Sequence, residues 1–160
     1  MKANTNTLER AGEAGELDLA ALQQLIGFNI RMVDLAMYQS FFARFPDRSF
    51  TPAMFSTLAA IRQNPGVRHG ALADALRIQR PNMTALLNEL ESMGYVSRRP
   101  SAVDRRSVAL HLTERGERAT AKMLASMQAF DRDLTAGLTA QERKTLLGLL
   151  GKVVAAASGS

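Results

Sequence analysis

Residues 81–116 read PNMTALLNELESMGYVSRRPSAVDRRSVALHLTERG. In the first part, Met83, Leu86, Leu87 and Leu90 recur at the spacing of one helix face. Pro81 suits the opening of a helix, and Gly94 suits the left-handed residue that closes one. These signals predict a helix over residues 81–93. The period then changes. Val108, Leu110 and Leu112 alternate with Ser107, Ala109 and His111, as in a half-buried strand. Residues 95–100 supply the partner strand. The polar, basic residues 101–106 join the two, so a hairpin is predicted.

Working outward, residues 78–80 form a tight connection to a short helix over 67–77, with Leu72, Ala73 and Leu76 on its buried side. Asn64-Pro65-Gly66 is a turn. Before it, Thr51 is a helix cap and Pro52 a first helical residue, with Met54, Phe55, Leu58 and Ile61 as the apolar stripe. The order helix, short helix, helix, hairpin over residues 51–113 is that of a winged helix-turn-helix.

The flanks are helical too. Leu22, Leu25, Ile26, Ile30, Val33, Met37 and Phe41 recur at steps of three and four, predicting one long helix from 17 to 44. Phe45-Pro46-Asp47 stops it. A second long helix starts at Thr113, carries Met123, Leu124, Met127 and Phe130, and ends at Gly137. Thr139 and Glu142 have the spacing of a capping box for a last, Leu-rich helix, and residues 155–160 are expected to fray. Residues 1–16 read as a flexible arm. The expected fold class is therefore mainly α with a small β-hairpin wing. Its segments are 1–16, 17–45, 51–113 and 114–155.

Composition narrows the function. The 160 residues are 46% hydrophobic, which suits one globular unit rather than a disordered chain. The longest apolar stretch, 146–157, is broken by Gly148, Gly151 and Lys152 and cannot span about 30 Å of hydrocarbon. The first residues lack the apolar core of a signal peptide, so a cytoplasmic protein with no membrane partner is expected. The absence of cysteine excludes disulfides, thiolate metal sites and thiol nucleophiles. His69 and His111 stand in no acid–base or metal-binding context, and the glycines form no phosphate loop. The reading is no enzyme, no cofactor and no metal.

The net charge of +5 is unevenly spread. Ten basic and six acidic residues fall between positions 62 and 118, and every basic residue between Lys2 and Lys122 is arginine. Guanidinium forks suit phosphate and guanine. The outer face of the 81–93 helix holds Pro81, Ala85, Asn88 and Ser92, flanked by Asn82 and Thr84. Exposed helix faces usually carry Glu and Lys. A small, neutral, hydrogen-bonding face can enter a major groove about 12 Å wide, where an Asn amide can pair with adenine and a Thr methyl can meet the thymine methyl. At the hairpin, Arg98 and Arg99 end one strand and Arg105 and Arg106 begin the next, with Asp104 as the sole acid. A narrow minor groove supplies the anionic potential that such a group would want. Double-stranded DNA is the expected partner, contacted by Arg80, Pro81, Asn82, Thr84, Asn88, Arg98, Arg99, Ser101, Asp104, Arg105 and Arg106.

Leu90-Glu91…Gly94-Tyr-Val96-Ser-Arg98, then Asp104-Arg105-Arg106, then Leu112-Thr113-Glu-Arg-Gly116, resembles the signature of the MarR (multiple antibiotic resistance regulator) family in order and spacing. The resemblance implies a homodimer in which the first and last helices interleave about a two-fold axis. It implies that Asp104 anchors the wing, that Arg105 or Arg106 enters the minor groove, and that the protein is a sequence-specific transcriptional regulator, a ligand-responsive repressor on a pseudo-palindromic operator. Non-specific coating of DNA by a winged helix without an effector is the competing reading. Many family members carry a basic residue where this chain has Ala85, so base reading shifts to Arg80, Asn82, Thr84 and Asn88. The resemblance also implies a small aromatic or acidic effector, and an arginine beside an aromatic cluster would suit an aromatic carboxylate or its thioester. Tyr38, Phe41, Phe42 and Phe55, with Arg31 and Arg44, fall where such a pocket would lie, and each aromatic also suits a core position.

Overall fold

The computed structural model describes residues 17–45, 50–100 and 108–159. Helices α1 (Ala20–Gln23), α2 (Ile26–Arg44) and α3 (Pro52–Gln63) precede strand β1 (Val67–Arg68). Helices α4 (His69–Leu76) and α5 (Arg80–Ser92) follow, then strands β2 (Val96–Pro100) and β3 (Val108–Leu112), then α6 (Glu114–Leu134) and α7 (Ala140–Ser158). The chain divides into two compact units, residues 1–41 and 42–160.

In the first unit the expected single helix is broken. The α1 segment closes at Gln23, and α2 begins at Ile26. The Asn29 side-chain amide donates to Gln23 O (2.7 Å), a carbonyl that the break frees, and to Leu25 O (2.8 Å), which also accepts the Asn29 backbone amide at 3.2 Å. The apolar positions continue through the interruption, so periodicity alone could not reveal it. Ile26, Ile30, Val33, Leu35 and Met37 are all exposed on this helix.

The second unit holds the core. Met54, Leu58 and Ile61 of α3, Leu72 and Ala73 of α4, and Met83, Leu87 and Leu90 of α5 pack with Val96 and Leu110 of the sheet. Thr51 caps α3 by accepting from the Met54 amide at 3.2 Å, with Pro52 inside the first turn. The expected short helix over 67–77 is corrected at its start. Val67–Arg68 is a strand antiparallel to β3, with Val67 opposite Leu110 and Arg68 opposite Ala109. The sheet order is β1-β3-β2, three strands rather than a lone hairpin. In β3 the expected inward set is also corrected. Val108 is exposed and Ala109 is 4% exposed, because Ala109 lies between Arg68 and Arg99 in register on the neighbouring strands.

The C-terminus of α5 is a Schellman closure. Gly94 takes φ +73° and donates to Glu91 O at 2.9 Å, and the Tyr95 amide donates to Leu90 O at 2.9 Å. The α4 helix ends the same way without a glycine. Arg77 takes φ 54°, donating to Asp74 O at 3.2 Å, while Ile78 donates to Ala73 O at 3.0 Å. A Cβ in this region costs about 1 kcal/mol. Arg77→Gly is therefore expected to raise the thermal midpoint by about 2–4 °C, read by circular dichroism. A lower midpoint would mean that the arginine side chain contributes more than the backbone conformation costs.

Thr113 caps α6 by accepting from the Gly116 amide at 3.0 Å. That helix ends at Leu134, ahead of the expected Gly137, with Thr135 Oγ1 donating to Asp131 O at 2.6 Å. The capping box of α7 is formed. Glu142 donates its amide to Thr139 Oγ1 (3.2 Å), and the Thr139 amide donates to the Glu142 carboxylate (2.8 Å). The Thr139 hydroxyl and amide hold the Glu142 carboxyl below its ordinary value, so this cap is complete at neutral pH and is lost as pH falls through that lowered range. The helix runs to Ser158, beyond the expected fraying point.

Candidate nucleic-acid interface

Helix α5 is sorted cleanly into two faces. Met83, Leu87 and Leu90 are at most 1% exposed, which fixes the helix against α4 and β2. Arg80, Pro81, Asn82, Thr84, Ala85 and Asn88 are all exposed. The burial of three large apolar groups dictates which way the polar ones face.

Two contacts tie α5 to α4. The Arg80 guanidinium lies 3.7 Å from the Asp74 carboxylate, an exposed pair worth little by itself. Thr84 Oγ1 donates to Arg80 O at 3.0 Å and stands 3.1 Å from His69 Nε2. With the hydroxyl proton directed to the carbonyl, His69 Nε2–H is the donor of the second contact. His69, expected in a turn before the short helix, is the first residue of α4 and braces the two helices of the helix-turn-helix.

The wing arginines do not act as one group. Arg98 stands opposite Leu110, and Arg99 opposite Ala109. Successive strand residues face opposite sides of the sheet, so Arg98 shares the face of the core residue Leu110. There it reaches α5. One terminal nitrogen donates to Asn88 Oδ1 at 2.6 Å, and the other lies 3.3 Å from Glu91 Oε2. Arg99 is exposed on the other face, in one row with Arg68 of β1. Arg68 and Glu91 were missed as site residues. Glu91 could have been found from its position three residues after Asn88, one turn along the same face. Arg68 could not, because a two-residue strand has no period. Ser101, Asp104, Arg105 and Arg106 lie outside the described residues.

Of the residues assigned to an effector pocket, Arg31, Tyr38 and Phe41 belong to the first unit, and Phe42, Arg44 and Phe55 to the second. Phe41 is buried, Phe42 and Phe55 are half-buried, and Arg31, Tyr38 and Arg44 are exposed. Arg44 lies 3.7 Å from Asp133 of α6. Among the described residues, no group of three His, Cys, Asp or Glu side chains could hold a metal ion, and no helix is long and apolar enough to cross a membrane.

Comparison with known proteins agrees with this geometry. Residues 50–108 match the model of the MarR family. A Thauera aromatica protein assigned to regulation of the hcr operon is 32% identical over 142 residues, covering 88% of this chain and 86% of its own. The transcriptional repressor CouR, solved bound to a 23-mer DNA duplex, superposes with a TM-score of 0.78 at 34% identity, covering 88% of this chain and 99% of CouR. A cysteine-to-serine mutant of Escherichia coli MarR, in complex with operator DNA, superposes with a TM-score of 0.72 at 30% identity, over 86% of this chain and 99% of that one.

Proposed function

From the premise that this chain belongs to the MarR family of DNA-binding transcriptional regulators, we propose that it is a repressor that binds a pseudo-palindromic operator as a homodimer. The observation that carries the reading is α5. Its inner face is fully buried, and its outer face as far as Asn88 offers Pro81, Asn82, Thr84, Ala85 and Asn88, with Glu89 and Glu91 exposed only in the last turn. That is a surface shaped to enter a groove and read base edges. Arg99, Arg105 and Arg106 would meet phosphates and groove potential. Two copies related by a two-fold axis would place half-sites about one helical turn apart. The exposed apolar residues of α2 and α7 supply the surface for the second copy. The aromatic and arginine residues from Arg31 to Phe55 support a small aromatic or acidic effector, or its thioester, that releases DNA.

Anisotropy titration of the protein's own upstream DNA against random duplex tests this. The cognate duplex is expected to bind at least about 10³-fold more tightly. Asn88→Ala should weaken only cognate binding, by about 10-fold. Arg106→Ala should weaken both duplexes and lower the salt slope by about one unit. Repeating the titration with aromatic carboxylates and their thioesters reads the effector. Equal affinity for both duplexes would instead identify a DNA-coating protein.

A further inference from the structure

We infer that Arg98 is a positioning residue for base recognition, which turns the Asn88 amide so that it presents its Nδ2–H2 donors to the DNA. The inference deepens the reading of α5 as the base-reading helix and rests on it.

Three observations carry it. Arginine has no acceptor, so the Asn88 atom 2.6 Å from the Arg98 guanidinium is the amide oxygen. The chemistry thereby fixes the amide orientation, with Nδ2 on the other branch. Next, Glu91 holds the remaining fork of the guanidinium at 3.3 Å, so Arg98 bridges two residues one turn apart on α5. Its charge is balanced within the protein. Finally, Arg98 opposes Leu110, on the core-facing side of the sheet, while its neighbour Arg99 opposes Ala109. Arg98 is therefore directed at the recognition helix rather than away from it.

The consequence is chemical. Asparagine reads adenine by accepting from N6–H2 with its oxygen while donating to N7. Arg98 takes one of the two lone pairs of that oxygen and draws it toward the wing, which biases the amide against that pairing. What remains outward is the Nδ2–H2 group, which matches an edge made of acceptors. Guanine, with N7 and O6 side by side, is that edge. Asn88 in this chain is thus set to select guanine, and Arg98, held by Glu91, enforces the choice without touching the base. Arg98→Met keeps an unbranched apolar stem, removes the donor and frees the amide to turn.

The test is selection from a random duplex pool by the full chain, for wild type, Asn88→Ala, Asn88→Asp and Arg98→Met. The position of interest in each half-site is the one whose preference disappears in Asn88→Ala. Wild type is expected to favour guanine there by about 10-fold. Arg98→Met should move that preference to adenine, leave other positions alone and leave the salt slope unchanged. Asn88→Asp keeps an acceptor for Arg98 but replaces the donors by an acceptor, so its preference should move to cytosine, whose N4–H2 donates. It serves as the second readout should Arg98→Met fold poorly. A uniform loss of affinity with a salt slope lower by one would make Arg98 a phosphate contact and overturn the inference. So would an unchanged guanine preference in Arg98→Met, or adenine in wild type. A wild-type protein that enriches no sequence at all fails the reading of α5 itself, an outcome distinct from these.

Discussion

Gly116→Ala is expected to lower the thermal midpoint by about 10 °C, because among the described glycines it alone would bring a Cβ within 3 Å of backbone. A Cβ at Gly116 would stand 2.0 Å from Tyr95 O and 2.9 Å from the Tyr95 carbonyl carbon. These are backbone atoms, so no side-chain rotation relieves the overlap. The start of α6 is pressed onto the start of β2 by several bonds. The Thr113 amide donates to Tyr95 O at 3.0 Å, and Thr113 Oγ1 donates to Gly94 O at 2.6 Å while accepting from the Gly116 amide at 3.0 Å. Admitting the methyl means withdrawing α6 by more than an ångström, which breaks this set. Overpacking and the lost bonds together cost about 3 kcal/mol or more. For a chain of this size each kcal/mol shifts the midpoint by about 2–4 °C. Gly137→Ala is the control. Nothing lies within 4 Å of its Cβ and its φ is not positive, so its melting curve should overlay that of wild type. A Gly116→Ala protein melting with the wild type would mean that α6 does not approach Tyr95 this closely.

That glycine shows what the family signature encodes. Leu90 and Val96 are core, Gly94 supplies the left-handed closure, Thr113 caps α6, and Gly116 permits the close approach. Glu91 and Arg98 join the recognition helix to the wing. Among the described residues, the signature is mostly scaffold, which explains how one motif can serve different operators. Asn82, Thr84 and Asn88, the residues proposed to face DNA, fall outside it.

The helix-turn-helix and the wing were legible because each leaves a strong local trace: a 3.6-residue stripe in α5, turn residues at 64–66, an alternating strand before Thr113. What escaped has physical reasons. Strand β1 spans two residues and owes its existence to β3, far away in sequence. The break before α2 is satisfied by one amide, Asn29, while the apolar pattern runs through it. Ala109 is buried by its cross-strand neighbours rather than by its own size. The arginines at 98 and 99 looked like one cationic cluster, although strand alternation already sends them to opposite faces. Only the fold shows that Glu91 and Asn88 wait on one of those faces.

A helix whose apolar face its own subunit leaves only half covered needs a partner, and α7 is such a helix. Each of its side chains from Ala140 to Ala157 is exposed. Leu146, Leu149, Leu150 and Val153 line one face, at 43%, 53%, 39% and 40% exposure, with Leu147 and Val154 beside them. Most helical stability in proteins comes from packing of an apolar face, and here the subunit leaves about half of that face uncovered. A second copy is the occupant that the proposed two-fold operator requires. Leu149→Glu with Val153→Glu would place two carboxylates in that contact, where burial of an unpaired charge is prohibitive. The double variant should sediment as a monomer where the wild type sediments as a dimer, and it should retain its far-ultraviolet helical signal. Operator affinity should fall by about 10²-fold or more, since each monomer then binds its half-site without the gain of a linked second contact. Lys144→Glu, on the opposite side of α7, introduces the same charge outside the contact and should remain dimeric. A wild-type protein that sediments as a stable monomer at micromolar concentration, or a double variant that stays dimeric, would remove α7 from the interface.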